Sequence, residues 1–164
     1  MSFYFYVYMR YPERFSREGF QEYCRGFGLL VTIPEQFTLS KEDTLFSMTI
    51  RKQDGSEREL NIVLDPGATV RRPRSKKVTF WDKLLKRYPF LFQEAVRGRD
   101  AIWRLCGSTY GEMDDLVIFL LGGYLVEACD GVLEAPDVDK FFATPAQIAP
   151  EIREILDRHG SSVI

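Results

Sequence analysis

The stretch from Ser108 to Glu134 constrains this chain more than any other. After Glu-Met-Asp-Asp at 112–115 it runs without a polar residue from Leu116 to Leu121, then continues Gly122-Gly123-Tyr124-Leu125-Val126. Thr109 and Glu112 stand at capping-box spacing, a hydroxyl followed three residues later by a carboxylate, each suited to an orphan N–H of a first helical turn. Asp114 and Asp115 add negative charge at the positive end of the helix dipole, and Gly131 supplies a left-handed stop. The residues between are apolar on nearly every face, which predicts a helix covered on most sides. A spanning helix takes about 20 apolar residues; this run is shorter and is interrupted by glycines, so it reads as a core helix. Gly122-Gly123 predict close approach of a neighbouring element.

Around that helix the periodicities alternate between strand and helix. Phe3, Phe5, Val7 and Met9 alternate with Tyr4, Tyr6, Tyr8 and Arg10, a strand pattern. Ser16 caps a helix between the staple residues Phe15 and Phe20, and Phe20, Tyr23, Cys24 and Phe27 form its apolar stripe, ended by Gly26 and Gly28. Leu29 to Ile33 reads as a short strand. Residues 45–64 read as a hairpin, with Asp54-Gly55 at the turn, the pair favoured in type I′ geometry. Pro66 to Lys77 is a basic, aperiodic loop. Thr79 caps a helix whose stripe is Phe80, Trp81, Leu84, Leu85 and Tyr88, interrupted at Pro89, with a second helical piece up to Gly98. Ala101 to Cys106 and Val132 to Glu134 read as strands. Thr144-Pro145 and Ala149-Pro150 both resemble helix starts; the second is favoured, because Pro150 would otherwise lie inside the helix. The whole is a single α+β domain over residues 1–164. Its order is β-α-β-β-β then α-β-α-β-α, an antiparallel or mixed sheet packed on the central apolar helix.

Composition narrows the chemistry. Hydrophobic residues make up 45% and aromatic residues 14% of the 164, enough for a core. The odd count of cysteines (Cys24, Cys106, Cys129) shows no metal-like pairing and predicts free thiols in a reducing compartment. The aromatic N-terminus has no basic leader, so a cytoplasmic protein is expected. His159 is the single histidine. At the end of a helix it serves the dipole, and it leaves neither zinc nor a Ser-His-Asp or Cys-His device a second partner. No glycine loop for phosphate is present. The sequence therefore predicts neither an enzyme nor a cofactor. Asp137-Val138-Asp139, joined by Asp114-Asp115 or Glu134, has the oxygen donors of a Mg²⁺ or Ca²⁺ site. Turn and cap roles explain the same carboxylates, and no metal is assigned.

Charge is unevenly spread. Residues 51–104 carry 14 Lys and Arg against 7 Asp and Glu, and residues 105–164 carry 3 against 11. The first block offers a nucleic-acid reading through Arg71, Arg72, Arg74, Lys76 and Lys77, whose charges would neutralise phosphates, with Trp81 and Tyr88 to stack on bases. Those two aromatics fall on a stripe expected to be core, and the sequence pI of about 5.5 points away from a dedicated nucleic-acid binder. The Tyr4, Tyr6, Tyr8 stripe fits an interaction surface or a face covered by a second layer.

An aromatic first strand, the Glu-Met-Asp-Asp helix start and the exit Leu125-Val126-Glu127-Ala128-Cys129-Asp130-Gly131-Val132-Leu133 together resemble the immunity proteins encoded beside bacterial polymorphic or contact-delivered toxins. In these a long apolar helix runs into a Gly-Val or Gly-Ile strand and an Asp-Pro-type turn; here Glu134-Ala135-Pro136-Asp137 stands at that turn with the order altered. The resemblance implies a protein without catalysis of its own that blocks a cognate toxin by direct contact. An acidic surface would do the docking, with charge steering the encounter. The residues it points to are Asp114, Asp115, Glu134, Asp137 and Asp139, with Tyr4, Tyr6 and Tyr8 as an aromatic patch. It implies a toxin protein as partner; nucleic acid, through the basic segment 71–104, is the alternative, and no membrane partner is expected.

Overall fold

The structure, a computed structural model, describes residues 4–39, 44–51, 54–66, 77–107 and 112–159. The alternating first segment forms β1 (Tyr4–Met9), and it sits inside the sheet rather than at its edge. It pairs antiparallel with β5 (Ala101–Gly107) on one side and β6 (Gly131–Ala135) on the other. The hairpin of β3 (Thr44–Arg51) and β4 (Glu57–Pro66) extends the sheet beyond β5. Two short strands, β2 (Val31–Thr32) and β7 (Lys140–Phe142), close the edges, giving the antiparallel order β2-β3-β4-β5-β1-β6-β7. The last pair of the hairpin is Arg51 with Glu57, so Asp54-Gly55 does not close it as the two-residue type I′ turn that the sequence suggested. Gly55 still supplies the left-handed residue (φ 81°), and the Asp54 carboxylate accepts the Ser56 N–H at 2.8 Å.

One face of the sheet carries Val7, Met9, Phe46, Met48, Ile50, Leu60, Ile62, Leu64, Leu105 and Leu133, all buried. Against it pack α1 (Arg17–Arg25) and α4 (Glu112–Ala128), with α5 (Pro145–His159) alongside α4. Ser16 caps α1, its hydroxyl accepting the Gly19 N–H at 3.0 Å. Helix α4 is the predicted core helix: Leu116 to Val126 are buried without exception. The predicted Thr109–Glu112 cap lies outside the described residues. The left-handed residue after α4 is Asp130 (φ 50°), not Gly131. Gly131 is demanded instead by proximity, since a Cβ there would lie 2.9 Å from the Leu125 carbonyl oxygen.

The paired glycines of α4 admit close neighbours, and α1 answers in kind. A Cβ on Gly123 would lie 2.2 Å from the Tyr23 hydroxyl; a Cβ on Gly19 would lie 2.2 Å from the Tyr124 hydroxyl. Each helix thus seats a tyrosine of the other over its own glycine. Tyr124 is fastened by Ser16, whose N–H donates to its hydroxyl at 3.2 Å.

Helix α5 corrects the expected start at Pro150, because it begins at Pro145 and carries Pro150 within it. The Gln147 side-chain oxygen accepts the N–H groups of Ala143 (2.7 Å) and Thr144 (3.1 Å), the reciprocal half of a capping box. The hydrogen bond that Pro150 cannot donate would have gone to Ala146, and both residues are exposed.

The Tyr23 hydroxyl is buried without a hydrogen-bond partner. Tyr23→Phe is therefore expected to stabilise the fold by about 1 kcal/mol. Gly123→Ala is expected to destabilise it by about 1–3 kcal/mol, and much less when combined with Tyr23→Phe, which removes the overlapping hydroxyl. Urea unfolding of the four proteins checks this; equal losses in both backgrounds would contradict the seating described.

Candidate functional site

The second face of the sheet carries the polar chemistry. Register sets Asp65, Arg104, Tyr6, Glu134 and Phe141 in one row across β4, β5, β1, β6 and β7. Arg104 donates to the Asp65 carboxylate through both Nε and Nη2, and its guanidinium lies 4.8 Å from the Tyr4 ring centre. Glu134 is only 4% exposed, yet both carboxylate oxygens are satisfied: Tyr8 donates to one at 2.8 Å and Tyr88 to the other at 2.6 Å. Burial raises the Glu134 carboxyl above its ordinary value, opposed by the two tyrosine bonds, and Asp139 adds to the rise. Burial, and then the Glu134 charge, also push the Tyr8 hydroxyl upward.

Tyr88 belongs to α3 (Tyr88–Ala95), whose first turn accommodates Pro89. It stacks on Phe92 at 5.7 Å with planes 10° apart, and Phe92 meets Tyr8 edge-on at 5.4 Å. The far end of α3 is tied by Arg99, which donates to the Asp130 carboxylate at 2.7 Å and to the Asp130 carbonyl at 2.8 Å. Helix α3 is therefore the second layer over the tyrosine stripe. Arg104 is neutralised by Asp65, and Glu134 is held by two phenols. The row is a clasp between sheet and helix.

This layering corrects the expected partner surface. Tyr6 and Tyr8 are buried and Tyr4 is half-buried. Glu134 is the buried acceptor just described. Asp114 is also buried, close enough to β5 that a Cβ on Gly107 would lie 2.6 Å from its Oδ2. Asp115 is half-buried. Both aspartates start α4 on the opposite side of the sheet from Glu134, so these carboxylates do not form one acidic face. Asp137 and Asp139 are exposed, on the turn between β6 and β7. There a 3-10 turn (Pro136–Val138) leads to Asp139 in the left-handed region (φ 51°), with Val138 between the aspartates 65% exposed. Among the described residues no three His, Cys, Asp or Glu come together to hold a metal. Burial pushes the Cys24 thiol up to about 12 and the Cys129 thiol up to about 11, so neither is an activated nucleophile.

Of the basic candidates Lys77 is exposed, and Arg71, Arg72, Arg74 and Lys76 lie outside the described residues. Helix α2 (Phe80–Leu84) overturns a second expectation. Its apolar stripe is not core: Phe80, Trp81, Leu84 and Leu85 are 72%, 62%, 59% and 54% exposed, and only Tyr88 turns inward. The helix is nonetheless well started by the predicted cap at Thr79, in a capping box with Asp82. Sequence periodicity found the stripe but carried no signal of what it faces.

No family model, no curated protein and no solved structure matches this chain.

Because Glu134 binds its proton more tightly folded than unfolded, it favours the fold most at pH below its ordinary value of 4.5, and that contribution is lost as pH rises through its raised folded value. Glu134→Gln keeps an acceptor for one of the two tyrosines, cannot titrate, and is expected to flatten this part of the stability–pH curve. Denaturant midpoints from pH 4 to pH 8 for both proteins test it; identical curves would mean that the carboxyl titrates as if in water.

Proposed function

We propose that this protein is a non-catalytic binding protein that neutralises a cognate bacterial toxin by direct contact, docking through the turn at Asp137-Val138-Asp139. The reading rests on one observation: two carboxylates flank an exposed valine on a short, backbone-defined turn at the sheet edge. An apolar centre with charged neighbours is the arrangement by which interfaces anchor and orient a partner. A left-handed non-glycine residue at Asp139 fits a turn kept for its shape. The toxin as the partner's class comes from the resemblance of the aromatic first strand and the α4–β6 exit to immunity proteins. A basic active-site cleft is the complementary surface.

The nucleic-acid reading gains from the exposure of Trp81, which frees an aromatic ring beside Lys77, Lys83 and Lys86. Binding of that kind would weaken steeply with salt.

Affinity capture from the native cell, followed by titration calorimetry with the captured protein, tests the leading reading. Asp137→Lys with Asp139→Lys is expected to weaken association at least tenfold, about 1.4 kcal/mol, while the unfolding midpoint stays near that of the parent. Unchanged affinity would exclude this turn as the docking surface.

A further inference from the structure

We infer that α2 is an interfacial anchor that rests on an anionic lipid surface. Phe80, Trp81, Leu84 and Leu85 fall at i, i+1, i+4 and i+5 and share one helix face, and each is more than half exposed. The Phe80 and Trp81 rings pack edge-on at 5.7 Å, so the aromatic end of the face is one preformed block. Around it stand Lys77, Lys83, Lys86 and Arg87, all exposed. The sole acidic residue between 77 and 87 is Asp82, and its carboxylate is engaged by the Thr79 N–H (2.8 Å) and hydroxyl (2.7 Å). The result is an apolar face with a basic rim and an acid turned to capping. In sequence, Arg71, Arg72, Arg74 and Lys76 precede it.

The composition selects among occupants. Protein interfaces are depleted in lysine at their cores, whereas this face is framed by three lysines. Nucleic acid would use Trp81 and the cations but leaves Leu84 and Leu85 without a role. An anionic bilayer uses all of them: aromatic and leucine side chains enter the headgroup–acyl boundary while Lys and Arg reach the phosphates. Among the described residues no helix is long and apolar enough to cross a membrane, so the contact lies in the interface plane. This departs from the absence of a membrane partner expected from sequence. Exposure of the α2 stripe is the reason.

The mounting suits the task. Lys86 adopts a left-handed conformation (φ 48°), turning the chain between α2 and α3, and the Arg87 N–H closes back on the Asp82 carbonyl at 2.9 Å. Tyr88 follows at once and is bonded to Glu134. The anchor is therefore held two residues from a fixed point on the sheet. It uses residues other than those of the Asp137–Asp139 turn, so substitutions test lipid contact and partner docking one at a time.

Flotation of the full-length protein with vesicles of phosphatidylglycerol and phosphatidylcholine in equal parts, against phosphatidylcholine alone, is the test. At least tenfold stronger partition onto the anionic vesicles is expected. Brominated acyl chains should quench Trp81, whereas Trp103 is buried in the core. Trp81→Ser with Leu84→Ser, and separately Lys83→Glu with Lys86→Glu, should each abolish flotation while leaving the melting temperature near that of the parent. Failure to float at low salt, equal partition onto both vesicle types, or flotation that the Ser pair leaves intact would overturn the inference. So would preference for added RNA over the vesicles.

Discussion

Helix α4 can be apolar on all sides only because something covers each side. The sheet takes one flank, α1 and α5 the others. The closest of these contacts depends on the exchange of two tyrosines for two glycines. Tyr23 lies over Gly123 and Tyr124 over Gly19, so the two backbones approach further than any side chain at those positions would allow. A helix with no polar face has no orientation of its own. The paired seats supply one, fixing the rotation of α4 and hence where Asp114 and the β6 exit emerge.

From that fixed exit the second face of the sheet follows. Strand β6 delivers Glu134 to the side away from α4, where its burial is tolerable because two phenol donors meet it. One donor is on β1 and the other on α3, so a single carboxylate ties the first strand, the sixth strand and the outer helix together. The outer layer is thin. Helix α3 covers the tyrosine stripe and ends in the Arg99–Asp130 pair, while α2 projects beyond it with its apolar face in water.

Sequence reasoning carried furthest where local chemistry decides structure. The alternation of Phe5, Val7 and Met9, the caps at Ser16 and Thr79 and the run of α4 all stand as read; the break expected at Pro89 falls earlier, after Leu84, and Pro89 lies in the first turn of α3. It failed where the deciding partner is remote. Periodicity marks Tyr4, Tyr6 and Tyr8 as a face, and marks Phe80, Trp81, Leu84 and Leu85 as another, but whether a face is covered depends on elements far along the chain. The tyrosine stripe, open in sequence between an interaction surface and a covered face, is covered, whereas the α2 stripe, expected to be core, is bare. Glu134 and Asp114 read as surface acids because burial of a carboxylate depends on donors no local pattern reveals. The true start of α5 was legible, since Thr144 and Gln147 have capping-box spacing, but the cost of Pro150 in a helix outweighed that signal. The bond lost lies between two exposed residues.

The placement of β1 has a further consequence, for how the chain is made. Both strands that flank it come from the second half of the sequence, and the bond from Tyr8 to Glu134 spans 126 residues. During synthesis at about 5–20 residues per second, the aromatic first strand stays without its sheet partners for on the order of ten seconds. The β3–β4 hairpin needs no such wait. Assembly of this fold therefore pairs an early local hairpin with a late insertion of the N-terminal strand. The interval before that insertion is when the nascent chain most needs shielding from its neighbours.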